Sequence, residues 1–360
     1  MSAFKKHPTR NLILLAFAGV MFIALLVTFI SDGRELARVF NQLKLSSIFL
    51  AILCMGAAYV ALGLSFSAIF KMAHHRVPFP RLLSITFISA TFNYIISSGG
   101  MSTMAVRSFL LKHEKVPYSV SIPLSFAQNM IFNLVLSVVC LGGVLYLHHH
   151  RELTSEGFQV VVILCLLGLI GVVASMMLVF FNKRFRDWFM KRIFSVMGWF
   201  TRQVLKKPSH PEKLREIREE VEVSIRYLHQ GWARLFLVLL WVTLDWTFTA
   251  LTLYFCFQAA GVELPSGLLL VAFAVEFLTS TINVVPAGLG VSEGSLSWVL
   301  KTFGYDFNQV LVAALLFRVI FFLLPLAIAT GLYLDTMRTL WRSQVEHKKT
   351  APSDLPPDLS

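Results

Sequence analysis

Charge is what this 360-residue sequence lacks most: 14% of its residues are Asp, Glu, Lys or Arg, where a soluble domain carries about 25%. The shortfall excludes an ordinary soluble fold. With 56% hydrophobic residues and a mean hydropathy of +0.69, the bilayer is the solvent to reason in. Cysteine is scarce: Cys54, Cys140, Cys165 and Cys256 all fall in apolar runs without C-x-x-C spacing, which points to packing rather than disulfides or a metal site. Histidine is missing from every apolar run of spanning length. The ten histidines sit at 7, 74, 75, 113, 148–150, 210, 229 and 347, and the 148–150 triplet reads as a solvated loop with no fourth ligand. No cofactor or metal is expected.

Long apolar runs are what the sequence has in plenty. Runs of about the 20 residues a span needs occupy 11–30, 47–70, 119–147, 158–181, 232–259 and 308–334. The first is too long for a signal-peptide core and lacks a small-residue cleavage site, so it reads as an uncleaved span. Regions 82–113 and 264–303 differ. "NYIISSGGMS" and "NVVPAGLGVS" break them near the middle, and each reads as a re-entrant hairpin, because irregular backbone at membrane depth survives only against protein or a wet cavity. With the N-terminus inside, the inner segments carry 25 of the 32 Lys and Arg. The positive-inside rule then places both termini in the cytoplasm. The net charge of +12 is therefore mostly topology, and nucleic acid is rejected as the main partner.

A shift of 190 residues lays the hairpins over each other: Thr91 on Thr281, Asn93 on Asn283, Gly100 on Gly290, Ser102 on Ser292 and Leu110 on Leu300. Three spans separate them, an odd number, so the second enters from the opposite face. The expected fold is all-α integral membrane, with about six full spans plus two re-entrant broken-helix hairpins as an inverted repeat. The first half covers 1–181 with hairpin 82–113, and cytoplasmic amphipathic helices cover 182–231. The second half covers 232–342 with hairpin 264–303, and 343–360 reads as a disordered tail. Such repeats place a transporter's site near the midplane; the competing reading is a duplication kept for packing.

A short helix is expected after each break, near Ser102–Lys112 and Ser292–Thr302. Its free N–H groups and dipole suit an anion such as phosphate. Gly99, Gly100, Gly288 and Gly290 allow close approach, Pro286 stops the preceding helix, and Ser102 and Ser292 read as N-caps. The G-x-S-x-G at 290–294 matches a nucleophile elbow, but no histidine lies in a span and no sheet is predicted, so the match is read as accidental. Asp245, Glu276, Glu293 and Arg318 lie within apolar segments, each costing roughly 2.5–3.5 kcal/mol unless paired. Arg318, aligned with Gln128, is expected to pair with Glu276 or Glu293, with Asp245 as a further charge partner. These are either a head-group site or a structural ion pair. Arg107 is a second candidate phosphate contact; the competing reading has it snorkelling to the inner interface. Ser121, Ser125, Asn129, Asn133 and Ser137 recur every four residues beside Gln128, so this stripe either lines a cavity or joins helices.

Glu276-Phe277-Leu278 followed by Asn283-(x)2-Pro286-x-Gly288-Leu289-Gly290-(x)2-Glu293-Gly294 resembles the signature of the lysylphosphatidylglycerol synthase transmembrane-region family. "SSGGMSTMAVRSFLL" is similar to that family's first glycine motif and its arginine. The resemblance implies a flippase-like membrane region like that of multiple peptide resistance factor, without its catalytic domain, in a bacterial or archaeal cytoplasmic (inner) membrane. Its motif positions fall on Glu276, Asn283, Pro286, Gly288, Gly290, Glu293, Gly99, Gly100 and Arg107. The expected function is moving or binding an anionic or zwitterionic lipid, aminoacylated or glycosylated lipids included, without enzymatic activity. The head-group residues would be Gly99, Gly100, Ser102, Arg107, Gln128, Asn129, Glu276, Asn283, Pro286, Gly288, Gly290, Ser292, Glu293 and Arg318. The expected partners are a polar lipid and the bilayer, with a homo-oligomer or an envelope-lipid enzyme as further partners. The alternative is an accessory subunit presenting lipid to such an enzyme.

Overall fold

A computed structural model describes residues 41–72, 77–95, 101–114, 116–150, 232–281 and 290–334, together with Val39 and a few isolated positions between 170 and 188. All regular structure among them is helical: α1 (Leu45–Met72), α2 (Phe79–Ile95), α3 (Met101–His113), α4 (Tyr118–His150), α5 (Trp232–Ala259), α6 (Ser266–Thr281), α7 (Val291–Lys301) and α8 (Phe307–Arg318). The last continues through a π-helical turn, Val319–Leu323, so that Phe307–Leu334 forms one apolar helix of 28 residues. Among the described residues four helices are long and apolar enough to cross a bilayer: Leu45–Met72, Val120–Tyr146, Arg234–Ala259 and Phe307–Leu334. They coincide with four of the six expected runs. The runs at 11–30 and 158–181, the amphipathic segments of 182–231 and the tail 343–360 lie outside the described residues, isolated positions apart. His148–His150 form the last turn of α4, a correction to the loop expected there: the apolar helix carries past its hydrophobic part into polar surroundings.

Proline and glycine set many of the boundaries. Pro78, Pro117 and Pro265 each immediately precede a helix, and their carbonyls accept the N–H of Leu82, Ser121 and Leu269 at 2.9–3.1 Å. Proline disfavours a helical residue before it, so each chain segment turns there. Asp306 caps α8, its Oδ1 accepting from the Gln309 N–H at 2.8 Å. After α5 and α7 the chain reverses at Gly261 and Gly304, with φ of 78° and 88°, in the left-handed region that glycine occupies without a steric penalty.

The helices fall into two sets of the same order. α1 to α4 are 28, 17, 13 and 33 residues long, and α5, α6 and α7 are 28, 16 and 11. The counterparts α1 and α5 pack side by side and run antiparallel. At one end the Lys44 N–H donates to the Ala259 carbonyl at 3.1 Å; at the other, Arg234 Nη1 donates to the Lys71 carbonyl at 3.3 Å.

The short helices double back in pairs. Arg81, in the first turn of α2, is ion-paired at 2.8 Å with Glu114, just after α3. Tyr305, just after α7, donates its hydroxyl to the Glu263 carbonyl, just before α6, at 3.2 Å. At 1.5 Å per residue none of these four helices covers the roughly 30 Å apolar core of a bilayer. Both pairs lean on the long helices. A Cβ on Gly143 of α4 would overlap the Leu270 carbonyl of α6, and one on Gly267 of α6 would overlap the Tyr146 ring. This is the close backbone approach that small residues permit in lipid. Trp246 of α5 packs against Phe132, Phe273 and Phe277, with ring centroids 4.4–5.6 Å apart, and donates its Nε1–H to the Phe132 carbonyl.

Candidate functional site

Arg318, at the end of α8, meets the start of α7. Its Nε donates to Glu293 Oε1 at 2.7 Å and its Nη2 lies 3.4 Å from Glu276 Oε1 of α6. All three side chains are buried. The arginine expected to pair with one carboxylate or the other holds both. Glu293 is at the third position of α7, so its Oε2 reaches back to accept the Gly290 N–H at 2.8 Å. Gly290 sits at φ 82°, a conformation other residues adopt only with strain. Gly290, not Ser292, occupies the N-cap position, which corrects the expectation for that serine. Ser292 faces the ion cluster instead: its Oγ accepts from Arg318 Nη2 and donates to Glu293 Oε2 at 3.1 Å. Its partners include an arginine already engaged with carboxylates, and a carboxylate of the same cluster.

Arg107 of α3 is equally buried but differently held. Its Nε donates to Ser89 Oγ of α2 at 3.3 Å, its Nη1 donates to Gln128 Oε1 of α4, and its guanidinium lies 4.0 Å from the centroid of the Phe66 ring of α1. Gln128 is oriented in turn, its Nε2 donating to Ser65 Oγ at 2.6 Å, and Ser65 donates to the Leu62 carbonyl at 2.7 Å. No carboxylate pairs with Arg107 among the described residues. A guanidinium has five N–H donors, and two are used among the described residues. The difference separates the two arginines: Arg318 is held by two carboxylates, whereas Arg107 meets no anion among the described residues.

A 190-residue shift relates the two sites. Gln128 aligns with Arg318, and Arg107 aligns with Ser297. In both sets an arginine ties the short helix after the break to the long helix that follows. It comes from the short helix in the first set and from the long helix in the second.

The sequence profile of the Lysylphosphatidylglycerol synthase TM region matches residues 14–329. The chain belongs to this family. A UPF0104 membrane protein of Methanothermobacter thermautotrophicus is 23% identical to it over 340 residues, 89% of this chain and 92% of that protein. With four apolar helices of spanning length, the family assignment makes this a multi-pass all-α membrane protein.

Of the positions that resemble family motifs, Glu276, Gly290, Glu293 and Arg107 fall in the two clusters. Gly99, Gly100, Asn283, Pro286 and Gly288 lie outside the described residues, as do the side chains of Asn93 and Ser102. Along the polar stripe of α4, Asn133 and Ser137 bond back to the carbonyls of Asn129 and Asn133 at 2.8 and 2.7 Å. Ser121 and Ser125 are buried with no hydrogen-bond partner among the described residues, and so is Ser108 beside Arg107. Asp245 makes no ion pair among the described residues. Sequence reading did not single out Ser65, Phe66, Ser89 or Ser108; a serine or phenylalanine in an apolar helix carries no signal until its neighbour is known. Cys54, Cys140 and Cys256 are free thiols, Cys165 lies outside the described residues, and no metal-binding group occurs among the described residues.

Proposed function

We propose that this chain is a flippase-like lipid transporter that moves or binds an anionic or zwitterionic lipid between two hairpins entering the membrane from opposite faces. The observation that carries the reading is Arg107. A buried guanidinium without a carboxylate is costly in a bilayer interior, and a phosphate offers it a bidentate, charge-assisted partner. The buried hydroxyls of Ser108, Ser121 and Ser125 provide further donors around the same two helices. The Arg318 cluster, with two carboxylates to one guanidinium, suits the ammonium of an aminoacylated or other zwitterionic head group.

The antiparallel α1–α5 pair supports the inverted arrangement. Each hairpin follows its own long helix after a short connection, and those long helices end at opposite ends of the pair. Hairpin mouths on opposite faces follow. An inner-membrane setting with cytoplasmic termini fits the distribution of basic residues. Catalysis is no part of the proposal, since Ser292 is committed to the ion cluster.

The test is reconstitution of the purified protein in liposomes carrying labelled phosphatidylglycerol, aminoacylated phosphatidylglycerol, phosphatidylethanolamine or a lipid-linked sugar. At least one should cross faster than in empty liposomes, and Arg107→Gln should abolish the gain. If none is accelerated, the transport reading fails. Copurification with an envelope-lipid enzyme that needs Arg107 for its product would then favour lipid presentation to that enzyme.

A further inference from the structure

Asp245 belongs to neither arginine cluster. It lies near the middle of α5, is 6% exposed, and its carboxylate accepts no hydrogen bond among the described residues. Only its backbone carbonyl is engaged, by Thr249 Oγ1 at 2.9 Å. From α1 the Tyr59 phenol interacts with it electrostatically. The Tyr59 hydroxyl is itself buried and lacks a hydrogen bond of good geometry, although Thr91 of α2 lies beside it. The other charged groups on the surrounding helices are spoken for or distant. Glu276 of α6 and Arg318 of α8 hold each other, Arg107 of α3 holds Gln128, and Arg234 and Lys71 meet at the far end of the α1–α5 pair. α4 presents no charged side chain here, only Phe132 against the neighbouring Trp246.

No cation neutralises this carboxylate among the described residues, and an unpaired charge is costly in a low-dielectric interior. Ionisable groups placed this way within membrane spans mark ion and proton pathways. A route to the rest of the molecule exists. The Tyr59 ring stacks on Phe87 of α2 at 4.2 Å and meets Phe321 at 6.4 Å. Phe321 lies in the π-helical turn that directly follows Arg318; such turns recur at functional sites. One rearrangement of α8 would therefore disturb the ion cluster and the surroundings of Asp245 together.

We propose that Asp245 is a proton-binding site through which lipid movement is coupled to a proton gradient. The coupling rests on the transport reading above; the proton site does not.

Two measurements test it. Infrared difference spectra of the purified protein should show the carbonyl stretch of a buried protonated acid, shifted by deuterium exchange, present in wild type and Asp245→Glu and lost in Asp245→Asn. In liposomes, a gradient of one pH unit should change the lipid distribution by up to about tenfold for each proton coupled. Asp245→Asn should remove that response and Asp245→Glu should keep it. A wild-type protein that shows the band but moves no lipid supports the proton site and sinks the transport reading. Absence of the band, persistence of the pH response in Asp245→Asn, or a response to a sodium gradient in place of a proton gradient would overturn the proposal.

Discussion

The two buried arginines should respond differently to the same substitution. Arg318→Gln leaves Glu276 and Glu293, both at 3% side-chain exposure, facing each other without their shared cation. Removing one partner of a buried ion pair costs about 3–5 kcal/mol. At roughly 2 °C per kcal/mol, the low end of the range for large domains, the apparent Tm should fall by about 6–10 °C. Arg107→Gln loses its bonds to Ser89 and Gln128, worth about 1.5–3 kcal/mol each for a charged donor. It also removes an unpaired charge that costs roughly 2.5–3.5 kcal/mol in a bilayer interior, so the net loss is only about 0–3 kcal/mol. Arg107→Gln should therefore spare the fold and lose lipid translocation, while Arg318→Gln should damage both. Thermal unfolding in one detergent at one heating rate makes the comparison, since such transitions are often irreversible. The triple variant Arg318→Gln, Glu276→Gln, Glu293→Gln, which has no charge to strand, should recover most of the lost stability. An Arg318→Gln protein as stable as wild type, or a triple variant no better than the single, would refute the electrostatic account.

Further expectations concern topology and packing. Single cysteines at Arg81 and Glu263, in a background without the native cysteines, should react with an impermeant maleimide from opposite sides of the membrane; labelling of both from one side would contradict opposed hairpin mouths. Gly143→Ala should destabilise by about 1–3 kcal/mol, because overpacking must push α4 away from the Leu270 carbonyl. Gly142→Ala, where an added Cβ meets open space, should instead be neutral or gain up to about 1 kcal/mol of helix propensity. Equal thermal shifts for the two would show that helix propensity, not interhelical clearance, governs this stretch.

What could be read from the sequence is what one-dimensional patterns encode. Apolar run length located four spanning helices, and the glycine, proline and serine breaks located the starts of α3 and α7 to within about one residue. Single charges in apolar surroundings announced that Arg318, Glu276 and Glu293 needed partners, and the partners were close enough in type to name. What could not be read was which neighbour each helix face meets. Gln128 looked like the uncharged counterpart of Arg318, yet it holds Arg107, 21 positions earlier, because α3 folds back along α4. Ser292 looked like a cap from its place after a glycine. Gly290, at positive φ, caps the helix two residues earlier than expected, and the serine hydroxyl meets Arg318 of α8 instead. Asp245 reads as a charge partner because a buried carboxylate normally has one. The packing of α1 on α5 brings a phenol to it and, among the described residues, no cation.

The exchange of the arginine between short and long helix bears on how a repeated fold could work in one direction. Two identical anion sites related by an inverted repeat would hold a phosphate equally well at either side, and nothing in the sites would favour one leaflet. Here the sites differ in charge. Arg107 offers an uncompensated positive charge, which favours the phosphate. The Arg318 cluster offers one guanidinium against two carboxylates, so a phosphate meets repulsion there and an amine meets attraction. A zwitterionic lipid would thus be held in a defined orientation between the hairpins, phosphate toward the first and amine toward the second. A simple anionic lipid would be held at one end only. On the transport reading this predicts discrimination by head group. Aminoacylated phosphatidylglycerol should compete for translocation better than phosphatidylglycerol, and Glu276→Gln, which leaves Arg318 facing Glu293 alone, should erase that preference. Equal competition by the two lipids in wild-type liposomes would mean that the second cluster is structural and that Arg107 alone selects the cargo.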